Sequence, residues 1–125
     1  MIVAGIDIGT LTCRLLIADI SKDGSLREID SDRRILRLGE GVDQQHVLSP
    51  NAMARVVETL GEWQKTMASH RVESTVAVAT SAVRESTNQQ EFLSYVQKAT
   101  GLEIEVLSGE EEARRTLVGI EFGLP

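Results

Sequence analysis

Asp7, Gly9, Thr10 and Thr12 fall within six residues at the end of an apolar run, and Arg14 follows two positions later. A carboxylate with apolar neighbours is costly unless it is hydrogen-bonded, ion-paired or beside a cation. Asp7 therefore reads either as a ligand, direct or through water, for a divalent cation beside phosphates, or as a strand-end carboxylate satisfied by the amides of Gly9 and Thr10. Glycine lets a backbone approach an anion closely, and successive N–H groups can wrap a phosphate. Arg84 comes after a second apolar stretch, at residues 74–80. There its planar fork would suit phosphate oxygens in the crevice at the carboxyl end of an open α/β sheet. The competing role is a salt bridge to Glu85. Ser108 and Glu111 have the spacing of a capping box. Glu110 with Arg114, and Glu111 with Arg115, are four apart and can pair along a helix surface. Glu112 has no basic residue four positions on, although Arg115 lies at three.

These residues need elements to hold them. Residues 2–8 are short, β-branched and apolar, which predicts a strand buried on both faces. A second strand is predicted at about 13–20, a hairpin turn at Asp23-Gly24, and a third strand over roughly 26–37. Ser49 and Pro50 start a helix, with Met53, Val56, Val57, Leu60, Trp63 and Met67 on one stripe. Gly61 inside it suggests a strand backbone passing close. Residues 74–80 form a buried strand. Asn88 with Glu91 predicts a capped helix that carries Phe92, Tyr95, Val96 and Ala99 and ends at Gly101. A short strand over 103–107 and a last helix through Leu117, Val118 and Ile120 complete the order βββαβαβα, in one domain spanning 1–125.

Composition narrows the partners. Only Trp63, Phe92, Tyr95 and Phe122 are aromatic, so the core must be aliphatic. The single Cys13 rules out an internal disulfide, and with His46 and His70 as the only histidines a Cys/His zinc cage is excluded. Cys13 reads as a small buried hydrophobe, and the helix dipole accounts for His70. A net charge of −6 argues against a dedicated nucleic-acid binder. No apolar run reaches the ~20 residues of a membrane helix, and the N-terminus has no signal-peptide pattern. A cytoplasmic protein without a membrane partner is the expectation.

Five stretches now stand in order: Ile6-Asp7-Ile8-Gly9-Thr10; Arg37-Leu38-Gly39-Glu40-Gly41-Val42; Ala79-Thr80-Ser81-Ala82-Val83-Arg84 with Asn88; Thr100-Gly101-Leu102; and Glu105 through Arg114. The first resembles the phosphate loop of the actin/Hsp70/sugar-kinase superfold. Together they resemble the exopolyphosphatase / guanosine pentaphosphate phosphohydrolase (Ppx/GppA) family, over essentially the whole chain. The resemblance implies an α/β, ribonuclease H-like half-domain with a mixed sheet and flanking helices. It also implies a second, glycine-rich half-domain that is absent here, which leaves a face open to homodimerisation. The implied reaction is hydrolysis of the terminal phosphate of inorganic polyphosphate or of guanosine pentaphosphate. Glu112 aligns with the family's catalytic glutamate, with Glu111 as the alternative. Gly9, Thr10, Thr12, Arg14 and Arg84 would bind phosphate, and Asp7 would hold Mg²⁺ or another divalent cation. The chain departs from the family's Ser-Asn-Ser at Thr10-Leu11-Thr12, where Leu11 replaces an amide. That departure leaves room for a non-catalytic polyphosphate or alarmone sensor. A sugar or acetate kinase half shares the aspartate-glycine loop but not the stretch at 108–113.

Overall fold

The computed structural model describes residues 1–111 of the chain; Glu112 and the last helix expected through Leu117, Val118 and Ile120 lie outside them. Five strands form one mixed sheet in the order β3-β2-β1-β4-β5. β1 (Ile2–Ile8), β2 (Thr12–Ile20) and β3 (Leu26–Ile35) make the expected antiparallel meander. β4 (Ser74–Ala79) pairs parallel to β1, and β5 (Ile104–Val106) pairs parallel to β4. Two long helices, α2 (Pro50–Ser69) and α4 (Gln89–Thr100), connect these strands, with one-turn helices α1 (Val42–Gln45) and α3 (Ser81–Arg84) before them. The one-turn helices were not expected from the sequence, because four residues carry no periodicity to read.

The mixed α/β architecture is as expected, but β1 and β4 are not buried on both faces. In β1, Ala4, Ile6 and Ile8 are buried while Gly5 and Asp7 are exposed. In β4, Ala77 and Ala79 are buried, while Val76 on the other face is 55% exposed. Among the described residues the apolar cover comes from α2 and α4. Met53, Val56, Leu60, Trp63, Phe92 and Val96 pack in one cluster with the inward residues of β1, β2 and β4. The short apolar run of β1 concealed this period-two alternation because its only polar member is Asp7.

Helix α2 begins as its sequence requires. The Ser49 hydroxyl accepts from the Ala52 N–H at 3.1 Å, and Pro50 occupies the first turn. Gly61 has nothing within 4 Å of an added Cβ, so no strand backbone passes there. Helix α4 ends on Gly101 at φ 75°, whose N–H donates to the Gln97 carbonyl. Asn88 does not cap α4 with its side chain. Its Oδ1 instead accepts from the Leu48 N–H at 2.8 Å, and its Nδ2 donates to the Leu48 carbonyl at 2.9 Å. A side-chain amide matches a peptide edge in both directions, and that tertiary bond displaced the local cap.

On edge strand β3 the helix-facing positions are polar. The Trp63 indole N–H donates to Asp32 Oδ2 at 2.8 Å, and Arg34 Nε donates to the same oxygen at 3.1 Å. Arg34 also pairs with Glu62, and His70 lies 3.1 Å from Asp30, so His70 has a specific partner beyond the helix dipole. The Trp63 bond, opposed by burial and helped by the Arg33 N–H and the Arg34 guanidinium, holds the Asp32 carboxyl below its ordinary value.

Replacing Trp63 with Phe is therefore expected to cost about 2–4 kcal/mol, from the lost hydrogen bond to a carboxylate and the space left by the smaller ring, measured by denaturant unfolding at neutral pH. The Asp32 contribution is present above the unfolded aspartate value of ~3.9 and is lost as pH falls through the depressed folded value. The difference between wild type and W63F should accordingly narrow in acid.

Candidate functional site

The carboxyl ends of β1, β4 and β5 bring three connections to one edge of the sheet. The first is the turn at residues 9–12. Gly9 N–H donates to the Thr12 carbonyl at 3.1 Å, and a Cβ on Gly9 would lie 2.7 Å from that oxygen. The Thr10 carbonyl accepts from Gly39 N–H at 2.8 Å, and the Leu11 carbonyl accepts from Leu36 and Arg37 N–H, each at 3.0 Å. The carbonyls of Thr10, Leu11 and Thr12 are thus bonded within the protein. The N–H groups of Thr10 and Leu11 make no hydrogen bond among the described residues. Consecutive free N–H groups with the carbonyls withdrawn are the chemistry of an anion nest.

Residues 36–41 buttress that turn, a role the sequence reading did not assign to them. A Cβ on Gly39 would stand 2.2 Å from Thr10 Cγ2, so only glycine fits without displacing the threonine. Arg55 on α2 fixes the buttress from behind, donating through Nε to the Leu36 carbonyl at 3.0 Å and reaching Glu40 at 3.3 Å. Nothing in sequence spacing linked Arg55 to a turn more than forty residues earlier.

The second connection is α3. Thr80 N–H donates to the Ile8 carbonyl, and the hydroxyls of Thr10 and Ser81 lie 2.7 Å apart. Ser81 is a site residue the sequence reading quoted in a motif but gave no role. Arg84, at the end of α3, is half-buried. Its Nη1 donates to the Leu107 carbonyl at 2.9 Å, and Leu107 N–H in turn donates to the Ala79 carbonyl at 2.9 Å. Arg84 therefore ties α3 to the third connection, which begins at Ser108. There the Ser108 hydroxyl accepts from Glu111 N–H at 3.1 Å, and Glu111 Oε1 accepts from Ser108 N–H at 3.3 Å. Glu111 is engaged as half of the capping box its spacing predicts. Glu112 is outside the described residues.

Gly9, Thr10, Thr12, Ser81 and Arg84 thus lie on one connected edge. Asp7 and Arg14 stand further back, opposite each other on neighbouring strands, and both side chains are on the open face. Asp7 is not the buried carboxylate that its apolar neighbours suggested, since alternate strand residues face opposite sides. Among the described residues no three His, Cys, Asp or Glu groups gather as a metal cage. One accessible carboxylate fits a hard cation that takes most of its ligands from water and substrate oxygens, not a protein-built cage. Cys13, beneath the turn, is excluded as a nucleophile: burial, offset in part by a hydrogen bond with the Gly9 backbone, pushes its thiol up to about 12.

A family model for the Ppx/GppA phosphatase family matches residues 16–125. The chain is 37% identical over 123 residues to a bifunctional 3-dehydroquinate synthase/phosphatase of Fusobacterium nucleatum, covering 94% of this chain and 18% of that protein. It is 36% identical to exopolyphosphatase 2 of Mycobacterium tuberculosis, covering 94% of this chain and 39% of that one. The crystal structure of the Aquifex aeolicus Ppx/GppA family member superimposes with a TM-score of 0.91 at 38% identity, over 99% of this chain and 40% of that chain. The chain therefore spans less than half the length of these relatives.

Gly39→Ala should push Thr10 Cγ2 aside and break the Thr10–Ser81 contact, an overpacking cost of roughly 1–3 kcal/mol. Adding Thr10→Ser removes Cγ2 and keeps the hydroxyl, so the double variant is expected to regain most of the loss in denaturant unfolding.

Proposed function

This chain belongs to the Ppx/GppA phosphatase family, and on that premise we propose that it forms one wall of a phosphohydrolase site that removes the terminal phosphate of inorganic polyphosphate by attack of water. The observation that carries the proposal is the turn at 9–12, where the Thr10, Leu11 and Thr12 carbonyls are bonded inward and the Thr10 and Leu11 N–H groups make no hydrogen bond among the described residues. These N–H groups, with the Thr10 and Thr12 hydroxyls, bind the oxygens of the transferred phosphate, and Arg84 neutralises charge as it develops. Phosphoryl transfer depends mostly on positioning and electrostatics of this kind. Mg²⁺, when bound beside Asp7, would neutralise phosphate oxygens and orient the chain. Arg14, level with Asp7, contacts the phosphate next in line. Glu112 accepts a hydrogen bond from the attacking water; Glu111, which already caps its helix, is the alternative. The opposite wall comes from a further half-domain of the same protein, a reading supported by the length of the relatives. A cytoplasmic setting, with its pools of phosphate polymer and nucleotide, belongs to the same proposal.

Two alternatives share the site. Guanosine pentaphosphate offers the same terminal anhydride, and a sensor would bind without turnover. Leu11, 56% exposed at the tip of the turn, favours keeping the sensor in view because it brings no hydrogen-bonding side chain to the anion.

In the longer protein carrying this chain, Glu112→Gln is expected to lower phosphate release by about 10²–10⁴-fold, and Arg84→Ala by about 10²–10³-fold. Long-chain polyphosphate and guanosine pentaphosphate, assayed side by side with Mg²⁺, identify the substrate. Binding of either without release in the wild type would replace the hydrolase with the sensor.

A further inference from the structure

Arg14 and Arg33 are directly opposite each other across the β2–β3 ladder, and both side chains are exposed on the open face of the sheet. Like charges in that relation destabilise a strand pair. Elsewhere the arginines of this sheet and of α2 find acids: Arg27 meets Asp19, Arg34 meets Asp32 and Glu62, and Arg55 meets Glu40. Arg14 and Arg33 make no ion pair among the described residues, and neither does Arg37. Arg37 is also held at φ 54°, a left-handed conformation that side chains other than glycine and asparagine resist, while its N–H fixes the Leu11 carbonyl of the turn.

Charged side chains often guard an edge strand against pairing with another chain. That explains an arginine on β3, but Arg14 is on β2, which is paired on both sides. The pair is also placed with respect to the turn. Thr12 pairs with Ile35, and Arg14 with Arg33, so the two arginines sit two residues, or ~7 Å, along the same ribbon. The hollow they line also includes Ser31, Asp32 and Glu28. Asp32 is committed to Trp63 and Arg34 on the helix side. Glu28, level with Ala18, closes the far end of that hollow, and Asp7 on β1 is level with Arg14, so carboxylates border the arginine pair on two sides.

We propose that Arg14, Arg33 and Arg37 form an anion track that continues the turn at 9–12 onto the open face of β2 and β3, and that it holds the distal phosphates of a linear phosphate chain. The track rests on the phosphohydrolase reading of the turn. Its new element is Arg33: a bound polyanion turns the repulsion between two facing arginines into a shared attraction. Selectivity follows, because a short substrate fills the turn alone while a long one reaches the track.

The test is calorimetric binding of long-chain inorganic polyphosphate and of tripolyphosphate to the chain, comparing wild type with Arg33→Ser and Arg33→Lys. Arg33→Ser is expected to lower the ratio of long-chain to tripolyphosphate affinity about tenfold and to reduce the salt dependence of long-chain binding by about one ion. Arg33→Lys should recover most of the ratio, and the thermal midpoint of Arg33→Ser should hold or rise, since a repulsion is removed. An equal loss on both probes, or an unchanged ratio in a folded variant, overturns the track and leaves the turn standing. Wild type that binds neither probe overturns the turn at 9–12 as an anion site and the track together. A single-stranded oligonucleotide of matched charge that binds as tightly as polyphosphate overturns the assignment to a phosphate chain.

Discussion

The connection at residues 36–41 must pass within contact distance of Thr10 if its N–H groups are to reach the carbonyls of the turn. That approach is possible only at a residue without a Cβ, and Gly39 supplies it. Once the carbonyls of Thr10, Leu11 and Thr12 are bonded, the peptide planes of the turn are fixed. The Leu11 N–H shares a peptide plane with the Thr10 carbonyl, so its orientation follows from covalent geometry and needs no ligand to create it. Preorganised donors of this kind stabilise an anion without reorganisation at the moment of binding. The electrostatics of the site thus depend on a steric allowance at Gly39, a residue that carries no functional group of its own.

The remaining walls are built by linking successive strand ends. Thr80 bonds to Ile8, Thr10 to Ser81, Leu107 to Ala79, and Arg84 to Leu107. Each parallel strand thereby inherits its position from the one before it. Arg84 takes part in this lacing through Nη1 of its guanidinium. A side chain anchored at one nitrogen is restrained in direction, which favours a fixed contact over a swinging one. Asn88 and Gln89 steady the same region from behind, through Leu48 and through the Val83 and Arg84 carbonyls.

Much of this was legible in the sequence. The succession of elements along the chain, the Ser49 cap, the Gly101 terminus and the Ser108–Glu111 box are written in local spacing, and local spacing is where sequence rules are strong. The turn at 9–12 was legible because glycine and hydroxyl residues after an apolar strand have few other uses. The misreadings share one cause. The burial of Asp7, the cap at Asn88 and the crowding at Gly61 all depended on what lies opposite in space. A short apolar strand does not announce which face is covered, and a side-chain amide able to cap a helix can equally bind a peptide forty residues away. Arg55, Gly39 and Ser81 were missed for the same reason, because their partners are remote. Belonging to the Ppx/GppA phosphatase family was legible from ordered motifs, whereas the facing arginines emerged only from strand register.

The parallel pairing of β1 with β4 has a consequence for how the protein comes to exist. The meander of β1, β2 and β3 closes through short turns, so its contacts are local and can form early. β1 meets β4 only after about seventy intervening residues have been folded back, and the Thr10–Ser81 contact spans the same 71 positions. Loop-closure entropy places such contacts late, after the hairpins and helix α2 have shortened the effective separation. The turn at 9–12 can therefore take its shape on the nascent meander, while the edge that joins it to Arg84 is completed only with the global fold. A molecule with an assembled site is in this sense already a fully folded one, and site occupancy reports on folding itself.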